Sequence, residues 1–373
     1  PSYYLSPFNG KEALSLTIDG QGDGYFSKLY YFNGKGAYKL VGQSSADFLG
    51  EGDKFLSIGR LYNYFTSAMD LRPNSDEGKV EALAAYGTAD DNLYKSLIGA
   101  TFIDKSQLTI NFDVKQIMKF YDISWLKIQR EIVGDENFCA SIQKYLEDIM
   151  VDYLNLAFKK YPTSNLCLSG GVAANIIMSL AIYEKTNFKN IYVYPAMGDD
   201  GLALGSALLT AQIMDQDISW LKDFQMPYFG DSYSQNQVKD VLDQFDNIVY
   251  EDLGENWPDE AAKSVSNGKI CALFHGAMEF GPRALGNRSI VANPMLEDTR
   301  QKINSTVKRR PAYQPFCPSI LEEERERLFH DSFSHKHMAI AFRMKEEFIK
   351  YLPCAAHIDG TARPQFVEES DNP

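Results

Sequence analysis

The sequence predicts an α/β fold built as two successive domains. Twice between residues 165 and 214, a short apolar strand runs into a glycine-containing turn and then into a helical pattern. This rhythm is typical of a sheet whose strands are joined by crossover helices. A stretch rich in Pro, Gly, Asp and Ser from Gln225 to Ser234 then breaks the pattern. We therefore expect a first domain over residues 1–226 and a second, mixed α/β domain over residues 227–373.

The first domain is predicted to open with a β-hairpin. Residues 13–18 and 25–32 alternate as strands around the turn DGQGDG, whose Asp and Gly residues are common in hairpin turns. Helical spacing and capping residues predict the elements that follow. They are helices at 59–68, 75–86 and 137–161, and then strands at 165–168 and 190–194 that alternate with helices at 172–184 and 202–214.

The second domain is predicted from shorter patterns of both periods. Its expected helices lie at 235–245, 258–267 and 296–307, and its expected strands at 269–274, 289–292 and 338–344. Mixed elements without a regular strand–helix alternation favour an α+β or mixed α/β arrangement.

Composition excludes several classes of protein. The 373 residues carry a formal net charge of −13, which disfavours a nucleic-acid or membrane-surface partner because both need a positive field. No apolar run approaches the ~20 residues of a membrane span. The cysteines are odd in number and form no C-x-x-C pair, so we expect reduced thiols in a cytoplasmic protein. A homo-oligomer is compatible with these features. The chain lacks an initiator methionine at Pro1, and we expect it to be cut at one or both ends.

Two aspartates and three glycines make the hairpin turn a candidate binding loop. Gly20, Gly22 and Gly24 let backbone N–H groups approach an anion closely. Asp19 and Asp23 would repel a phosphate, so a divalent cation would be needed between them. A plain hairpin turn explains the same residues equally well.

Two later turns open predicted helices and are candidate anion or metal sites. Ser169, Gly170 and Gly171 follow a strand, where free N–H groups and the helix dipole favour an anion. Gly198-Asp199-Asp200-Gly201 repeats that arrangement with carboxylates, which suit a cap, a metal or a water. The order of the three loops resembles the nucleotide cradle of the actin-like fold shared by sugar kinases and heat-shock ATPases.

Cations stand out in the second domain of this acidic chain. Arg283 lies in the rigid Gly-Pro-Arg segment, Lys308 and Arg310 flank a predicted helix end, and Arg363 precedes a proline. Guanidinium groups supply forked donors that match phosphate or carbamoyl oxygens. The Lys308–Arg310 run alone is typical of a solvated helix end, but the set together predicts a shaped anion pocket. His330, His335 and His337 are interpreted as a surface loop.

These motifs occur in an order that resembles the O-carbamoyltransferases, the enzymes of nodulation-factor and antibiotic tailoring. The resemblance spans nearly the whole chain, and two of its segments are highly specific. The segments are DGQGDG, SIGRLYNYFT, residues 76–87, LSGGVAAN, PAMGDDGLALGSAL, EFGPRALGNRSI, VKRR with the following PF and PS, and HIDGTARPQ.

The resemblance implies an actin-like domain followed by a domain similar to threonylcarbamoyl-adenylate synthase. It implies that the second domain makes carbamoyl adenylate from carbamoyl phosphate and ATP, and that the first passes the carbamoyl group to a hydroxyl of a small-molecule acceptor. It also implies a divalent metal, Fe or Mg/Mn, held by two histidines expected before residue 1 and by two aspartates. Carried onto this chain, the implied roles are metal binding for Asp19 and Asp199, nucleotide binding for Gly20, Gly22, Gly24, Ser169, Gly170, Gly171, Asn175, Gly201 and Arg310, and catalysis for Arg283, Lys308 and Arg363.

Two departures and several alternatives stay open at this point. The family has basic residues where this chain has Ala277 and Gln314, which reduces the positive charge expected in the pocket. An inactive remnant of such an enzyme is therefore one alternative. A tRNA threonylcarbamoyl-type transferase is a second alternative, although the chain lacks a basic stripe. An actin-like ATPase switch without carbamoyl chemistry is a third.

Overall fold

The computed structural model describes residues 2–48, 55–223 and 226–371 and has a mixed α/β architecture, as predicted. Gln225, where the predicted linker begins, lies outside these residues. The strands are β1 (Glu12–Gly22), β2 (Tyr25–Asn33), β3 (Tyr38–Ser45), β4 (Thr101–Asp104), β5 (Thr109–Phe112), β6 (Asn165–Ser169), β7 (Asn190–Val193), β8 (Cys271–Phe274), β9 (Arg288–Val291), β10 (Ser319–Leu321), β11 (Phe342–Arg343), β12 (Thr361–Ala362) and β13 (Gln365–Val367).

Thirteen α-helices accompany these strands in the described residues. They are α1 (Ile58–Ala68), α2 (Glu77–Ala84), α3 (Asp91–Gly99), α4 (Val114–Ile117), α5 (Ile123–Val133), α6 (Asp135–Lys160), α7 (Ile176–Lys185), α8 (Leu202–Ile213), α9 (Gln235–Leu242), α10 (Trp257–Ser266), α11 (Glu297–Lys302), α12 (Arg325–Leu328) and α13 (Glu346–Ile349). Within this part of the chain, no helix has the length and apolarity needed to cross a bilayer.

A five-stranded sheet in the order β3-β2-β1-β6-β7 organises the first half. The predicted hairpin is confirmed, since β1 and β2 pair antiparallel, and β6 runs parallel to both β1 and β7. Thr17 on β1 lies opposite Ser169 on β6. The loops that leave these two strands therefore emerge side by side at the carboxyl edge of the sheet, where α/β proteins form their binding crevices.

The main hydrophobic core continues from the first half into the C-terminal segment. Phe329, Phe342 and Phe366 belong to the same buried cluster as Tyr145 and Tyr153 of α6. Around α7, the Tyr183 hydroxyl donates to Asp331 Oδ1 at 2.9 Å, and the Tyr183 ring meets the Phe342 ring edge-on. Residues from both sides of the predicted boundary thus pack into one core, which fixes these two parts of the chain relative to each other.

Two predicted elements of the second half differ from the expectation. The strand predicted at 338–344 pairs only over Phe342–Arg343, opposite Ala362 and Thr361. The helix predicted at 296–307 is α11 continued by a π-helix over Ile303–Lys308, after which Arg309 adopts φ 48°. π-Helical segments are rare in proteins but frequent at functional sites. Here the segment ends two residues before Arg310.

Candidate functional site

A cavity of about 820 Å³ lies between the carboxyl edge of the main sheet and the loops of the C-terminal half. Nine of the predicted site residues line it, which are Asp19, Gly20, Gly171, Asn175, Asp199, Arg283, Lys308, Arg310 and Arg363. The guanidinium groups of Arg283 and Arg363, eighty residues apart in sequence, therefore share one cavity. A volume of this size accommodates a nucleotide-sized ligand.

The charged groups of the cavity are segregated by their origin in the chain. Among the residues that the structure describes, its four carboxylates come from the first predicted domain and form the carboxylate wall, and five of its six Lys and Arg side chains come from the second. The carboxylates are Asp19, Glu77, Glu81 and Asp199, and the cations are Lys79, Arg283, Lys308, Arg309, Arg310 and Arg363. One wall is thus suited to a cation or to polar groups, and the opposite wall to an anion.

The other predicted glycines and Ser169 do not line the cavity. Gly22 pairs with Tyr25 at the end of the hairpin, and Gly24, at φ +80°, has open space around it. The plain hairpin-turn interpretation accounts for both residues. The Ser169 hydroxyl contacts the Thr17 hydroxyl at 3.0 Å. Gly170 and Gly201 are packed against backbone carbonyls instead of facing the cavity.

Asp19 ties the two loops of the parallel strand pair together. Its Oδ2 accepts the N–H of Gly171 at 2.7 Å, and its Oδ1 accepts the N–H of Gly20 at 2.6 Å. The Cα of Gly59, at the start of α1, packs so closely that a Cβ there would lie 2.8 Å from the Asp19 carbonyl oxygen. Asp19 therefore has a structural role on the cavity floor in addition to any ligand it holds.

The N-terminus of α7 is capped from within the protein. Asn175 Oδ1 accepts the N–H of Met178 at 2.8 Å, and Glu81 Oε1 accepts the N–H of Ile177 at 3.0 Å. Asn175 also exchanges side-chain hydrogen bonds with Gln143, at 2.8 and 3.1 Å. These contacts use donors that a helix N-terminus would otherwise offer to an anion. The nucleotide-binding role of Asn175 stays a prediction.

Glu81 was not singled out from the sequence. It interacts electrostatically with the arginine wall, which is formed by Arg283, Arg310 and Arg363. Burial raises the pKa of Glu81, whereas the Ile177 N–H and the charges of Arg363 and Arg283 oppose that rise. A raised carboxyl pKa in a cavity is a common mark of a functional group. No sequence motif distinguished Glu81 from the other acidic residues of the predicted helix at 75–86.

The arginines of the opposite wall are crowded and incompletely paired. The charge of Arg363, and then burial, hold the pKa of Arg283 below its usual range. Among the described residues, Arg283 Nε is buried without a hydrogen-bond partner. Burial and the charge of Arg363 also lower the pKa of Arg310, whose guanidinium lies 4.5 Å from the centre of the Phe316 ring. Confined cations that repel one another favour the binding of an anion between them.

A buried carboxylate holds the loop that carries Arg283. Glu279 Oε1 accepts the backbone N–H groups of Leu285, Asn287 and Arg288 at 2.8, 2.8 and 3.1 Å. These hydrogen bonds keep the pKa of Glu279 below its usual range, although burial acts in the opposite direction. The Leu285 carbonyl is fixed from the other side by Gln365 Nε2 at 3.0 Å. Glu279 is therefore a positioning residue that was not singled out from the sequence.

Replacing Glu279 with Gln should destabilise the protein by about 1–3 kcal/mol at pH 7, because three N–H donors lose a charged acceptor. Since the pKa of Glu279 is lowered by folding, its contribution is present above the unfolded-state value of about 4.3 and is lost as the pH falls through the folded-state value. Urea unfolding of both proteins at pH 7 and near pH 4 measures this. Glu326→Gln, at a carboxylate whose side chain is 85% exposed, is the control. A stability difference for Glu279→Gln that widens on acidification would contradict the assignment.

The described residues supply only part of a metal site. No group of three or more His, Cys, Asp or Glu side chains within residues 2–48, 55–223 and 226–371 is arranged to hold a metal ion. Asp19 and Asp199 both line the cavity, so they offer two carboxylate side chains of the larger set that a divalent metal needs. These residues do not by themselves fit a metal, and its binding stays a prediction.

The surface-loop interpretation of His335 and His337 is wrong, because each side chain is 4% exposed. His335 Nε2 accepts the N–H of Ala339 at 3.0 Å, and burial followed by His337 lowers the pKa of His335. The segment is buried because it packs beside the aromatic cluster around Phe333 and Phe342. His335 is therefore a neutral acceptor in the core.

The fold and the cavity define an α/β protein with a cation-rich pocket at the carboxyl edge of its sheet. Residues 1–208 match the family described as carbamoyltransferase N-terminus, and residues 262–373 match the carbamoyltransferase C-terminus. The chain belongs to the carbamoyltransferase family, and the resemblance inferred from its motifs is confirmed.

Three similar proteins match most of this chain. An uncharacterized protein of Methanocaldococcus jannaschii is 53% identical over 100% of this chain and 62% of its own length. Nodulation protein NolO of Bradyrhizobium diazoefficiens is 29% identical over 97% of this chain and 65% of its own length. A 3'-hydroxymethylcephem-O-carbamoyltransferase of Amycolatopsis lactamdurans is 27% identical over 80% of this chain and 54% of its own length. The chain thus spans less than two thirds of each of these relatives.

Proposed function

We propose that this protein is an ATP-dependent O-carbamoyltransferase. It makes carbamoyl adenylate from carbamoyl phosphate and ATP, and it transfers the carbamoyl group to a hydroxyl of a small-molecule acceptor. The observation that carries the proposal is the shared cavity in which Arg283, Arg310 and Arg363 face the loops of Asp19 and Asp199. The relation to a cephem O-carbamoyltransferase supports the acceptor class.

The proposed chemistry balances in three steps. Water cleaves carbamoyl phosphate to carbamate, phosphate and a proton. A carbamate oxygen then attacks the α-phosphorus of ATP, and pyrophosphate leaves as the bond to the β-phosphate breaks. Finally the acceptor oxygen attacks the carbonyl carbon of carbamoyl adenylate, the acceptor hydroxyl proton is released, and AMP leaves.

The arginine wall acts on the first two steps, in which carbamoyl phosphate and ATP react. Negative charge grows on the phosphoryl oxygens as carbamate attacks, and preorganised donors in a confined site stabilise that charge by ~3 kcal/mol each. Arg283 and Arg363 supply forked donors from two separate loops, and Lys308 adds a point charge at the exposed rim. The cavity holds both reactants together, which lowers the entropic part of the barrier.

We further propose that Asp19 and Asp199 contribute oxygen ligands to a divalent metal, Fe or Mg/Mn, completed by groups outside the described residues. Such a metal, when bound, polarises a carbonyl oxygen. Independently of it, Asp19 holds the Gly20 and Gly171 loops in register through its two backbone hydrogen bonds.

The test is pyrophosphate release from ATP, measured with and without carbamoyl phosphate. The proposal expects pyrophosphate only when carbamoyl phosphate is present, with carbamoyl adenylate or AMP as the other product by mass spectrometry. Formation of ADP and phosphate from ATP without carbamoyl phosphate would contradict it and favour an ATPase switch.

Asp199→Asn should leave carbamoyl-phosphate-dependent pyrophosphate release within about two-fold of the parent but reduce carbamoylated product by about 100-fold or more. The reason is location, because Asp199 lies on the carboxylate wall and the phosphoryl chemistry is assigned to the arginine wall. Both products are measured by mass spectrometry with a panel of sugars as acceptors. Asp200→Asn is the matched control, since Asp200 is the adjacent exposed carboxylate and does not line the cavity. Equal loss of both half-reactions in Asp199→Asn would contradict the division into two walls.

A further inference from the structure

One thiol stands inside the arginine wall. Cys139, Cys167 and Cys354 are buried, whereas Cys271 and Cys317 are partly exposed. Of these two, Cys317 lines the cavity. Arg363 donates to the Cys317 sulfur from Nε at 2.9 Å and from Nη2 at 2.8 Å. The two guanidinium N–H donors of Arg363 that could bind a phosphate or carboxylate therefore contact the Cys317 sulfur in this structure.

Three arginines accompany Cys317 in this part of the cavity. Arg363 contacts its sulfur, and Arg283 and Arg310 line the same cavity and interact electrostatically with Cys317. Independently, Arg283 Nε is buried without a partner in the described part of the chain and belongs to the same cavity. This unpaired donor marks the place as built for an anion. The Cys317 sulfur consequently contacts the guanidinium donors of Arg363 that an anion in this cavity would need.

We propose that Cys317 is a peroxide-sensitive modification site whose oxidation closes the anion cavity. Cys317 is partly exposed in the cavity and is therefore accessible to peroxides, whose oxygen is attacked by a cysteine sulfur. Cys317 sulfur attacks one oxygen of hydrogen peroxide, the O–O bond breaks, and an S–O bond forms. The sulfur is oxidised by two electrons, the peroxide is reduced, and the thiol proton leaves in the water produced. The product is a sulfenic acid.

Oxidation closes the cavity for two reasons. The added oxygen extends from the sulfur into the space shared by Arg283, Arg310 and Arg363, which excludes a phosphate by volume. It is also a stronger hydrogen-bond acceptor than the thiol, so Arg363 is held more firmly away from other anions. This inference rests on the proposed function, since it assumes that the cavity binds phosphate-bearing reactants.

The experiment uses inorganic phosphate as the probe and needs no turnover. The purified protein is treated with stoichiometric hydrogen peroxide, phosphate affinity is measured by calorimetry, and the modified residue is located by dimedone labelling and peptide mass spectrometry. We expect labelling at Cys317, at least ten-fold weaker phosphate binding, recovery with dithiothreitol, and slower labelling when phosphate is present. Cys317→Ser should show the same phosphate affinity before and after peroxide. Cys271→Ser, at the other partly exposed thiol, should keep the sensitivity of the parent protein.

The outcomes separate this inference from the proposed function. Labelling of Cys317 with unchanged phosphate affinity, or no labelling of Cys317, overturns the inference alone. An effect of peroxide that persists in Cys317→Ser also overturns it. Absence of phosphate binding before any treatment contradicts the anion cavity itself, and with it both proposals.

Discussion

Arg363→Ala should reduce carbamoyl-phosphate-dependent pyrophosphate formation by at least about 100-fold, and Arg283→Ala should do the same. Each variant removes one forked donor from the arginine wall, and a donor placed where charge develops is worth ~3 kcal/mol. Measuring pyrophosphate release at saturating ATP gives the loss directly. The matched control is Arg343→Ala, because Arg343 lies opposite Thr361, two residues before Arg363, but pairs with Glu184 and does not line the cavity.

Thermal unfolding distinguishes loss of an anion site from loss of structure. Arg363 lowers the pKa of Arg283 by repulsion, whereas both charges favour the ionised form of the buried Glu81, so removing either charge should change the unfolding free energy of the free protein little. Saturation with phosphate at about 100 times its dissociation constant should stabilise the parent by about 2.7 kcal/mol. The variants should show little of that stabilisation. Near-normal pyrophosphate release in either variant would remove the arginine wall from the mechanism.

Part of the cavity floor was predictable from the sequence because the patterns that form it are local. Short apolar strands followed by glycine turns and helices predict parallel neighbours, and β6 and β7 pair in this way. The parallel pairing of β1 with β6 joins distant parts of the chain and was not predicted, and it brings the loops of Asp19 and Gly171 to the same edge of the sheet. The domain limits of 1–226 and 227–373, and the actin-like character of the first domain, stay predictions.

The arginine wall was predictable in its residue types but not in its construction. β12 and β13 contain two and three residues, too few for any period to indicate a strand. The π-helix at Ile303–Lys308 follows a helical pattern in the sequence and departs from it only through tertiary packing. Glu81 and Glu279 lie within segments that carry the family resemblance, and Cys317 lies between its PF and PS residues, but no role was assigned to these three residues from the sequence. They matter because of what folds against them, and that information resides in long-range contacts.

Gly170→Ala should be the most destabilising single methyl added to this site, with a loss of unfolding free energy of at least ~4 kcal/mol. Gly170 adopts φ 92° and ψ 157°, a conformation essentially restricted to glycine. A Cβ at this position would also lie 2.0 Å from the carbonyl oxygen of Ile18 on β1. The neighbour is backbone within a paired strand, so no side-chain rotation relieves the contact. Urea unfolding at 25 °C measures the loss.

Gly134→Ala separates the two contributions. Gly134 has nearly the same backbone angles, φ 84° and ψ 156°, but nothing lies within 4 Å of the position that an alanine methyl would take there. It should lose only the conformational part, about 1–3 kcal/mol, so equal losses in the two variants would contradict the proposed clash. The additional loss of unfolding free energy in Gly170→Ala over Gly134→Ala measures the cost of separating β1 from the loop that follows β6. That contact also sets the reach of Asp19 to the Gly171 N–H, so the packing that stabilises the fold and the geometry of the cavity floor depend on one glycine.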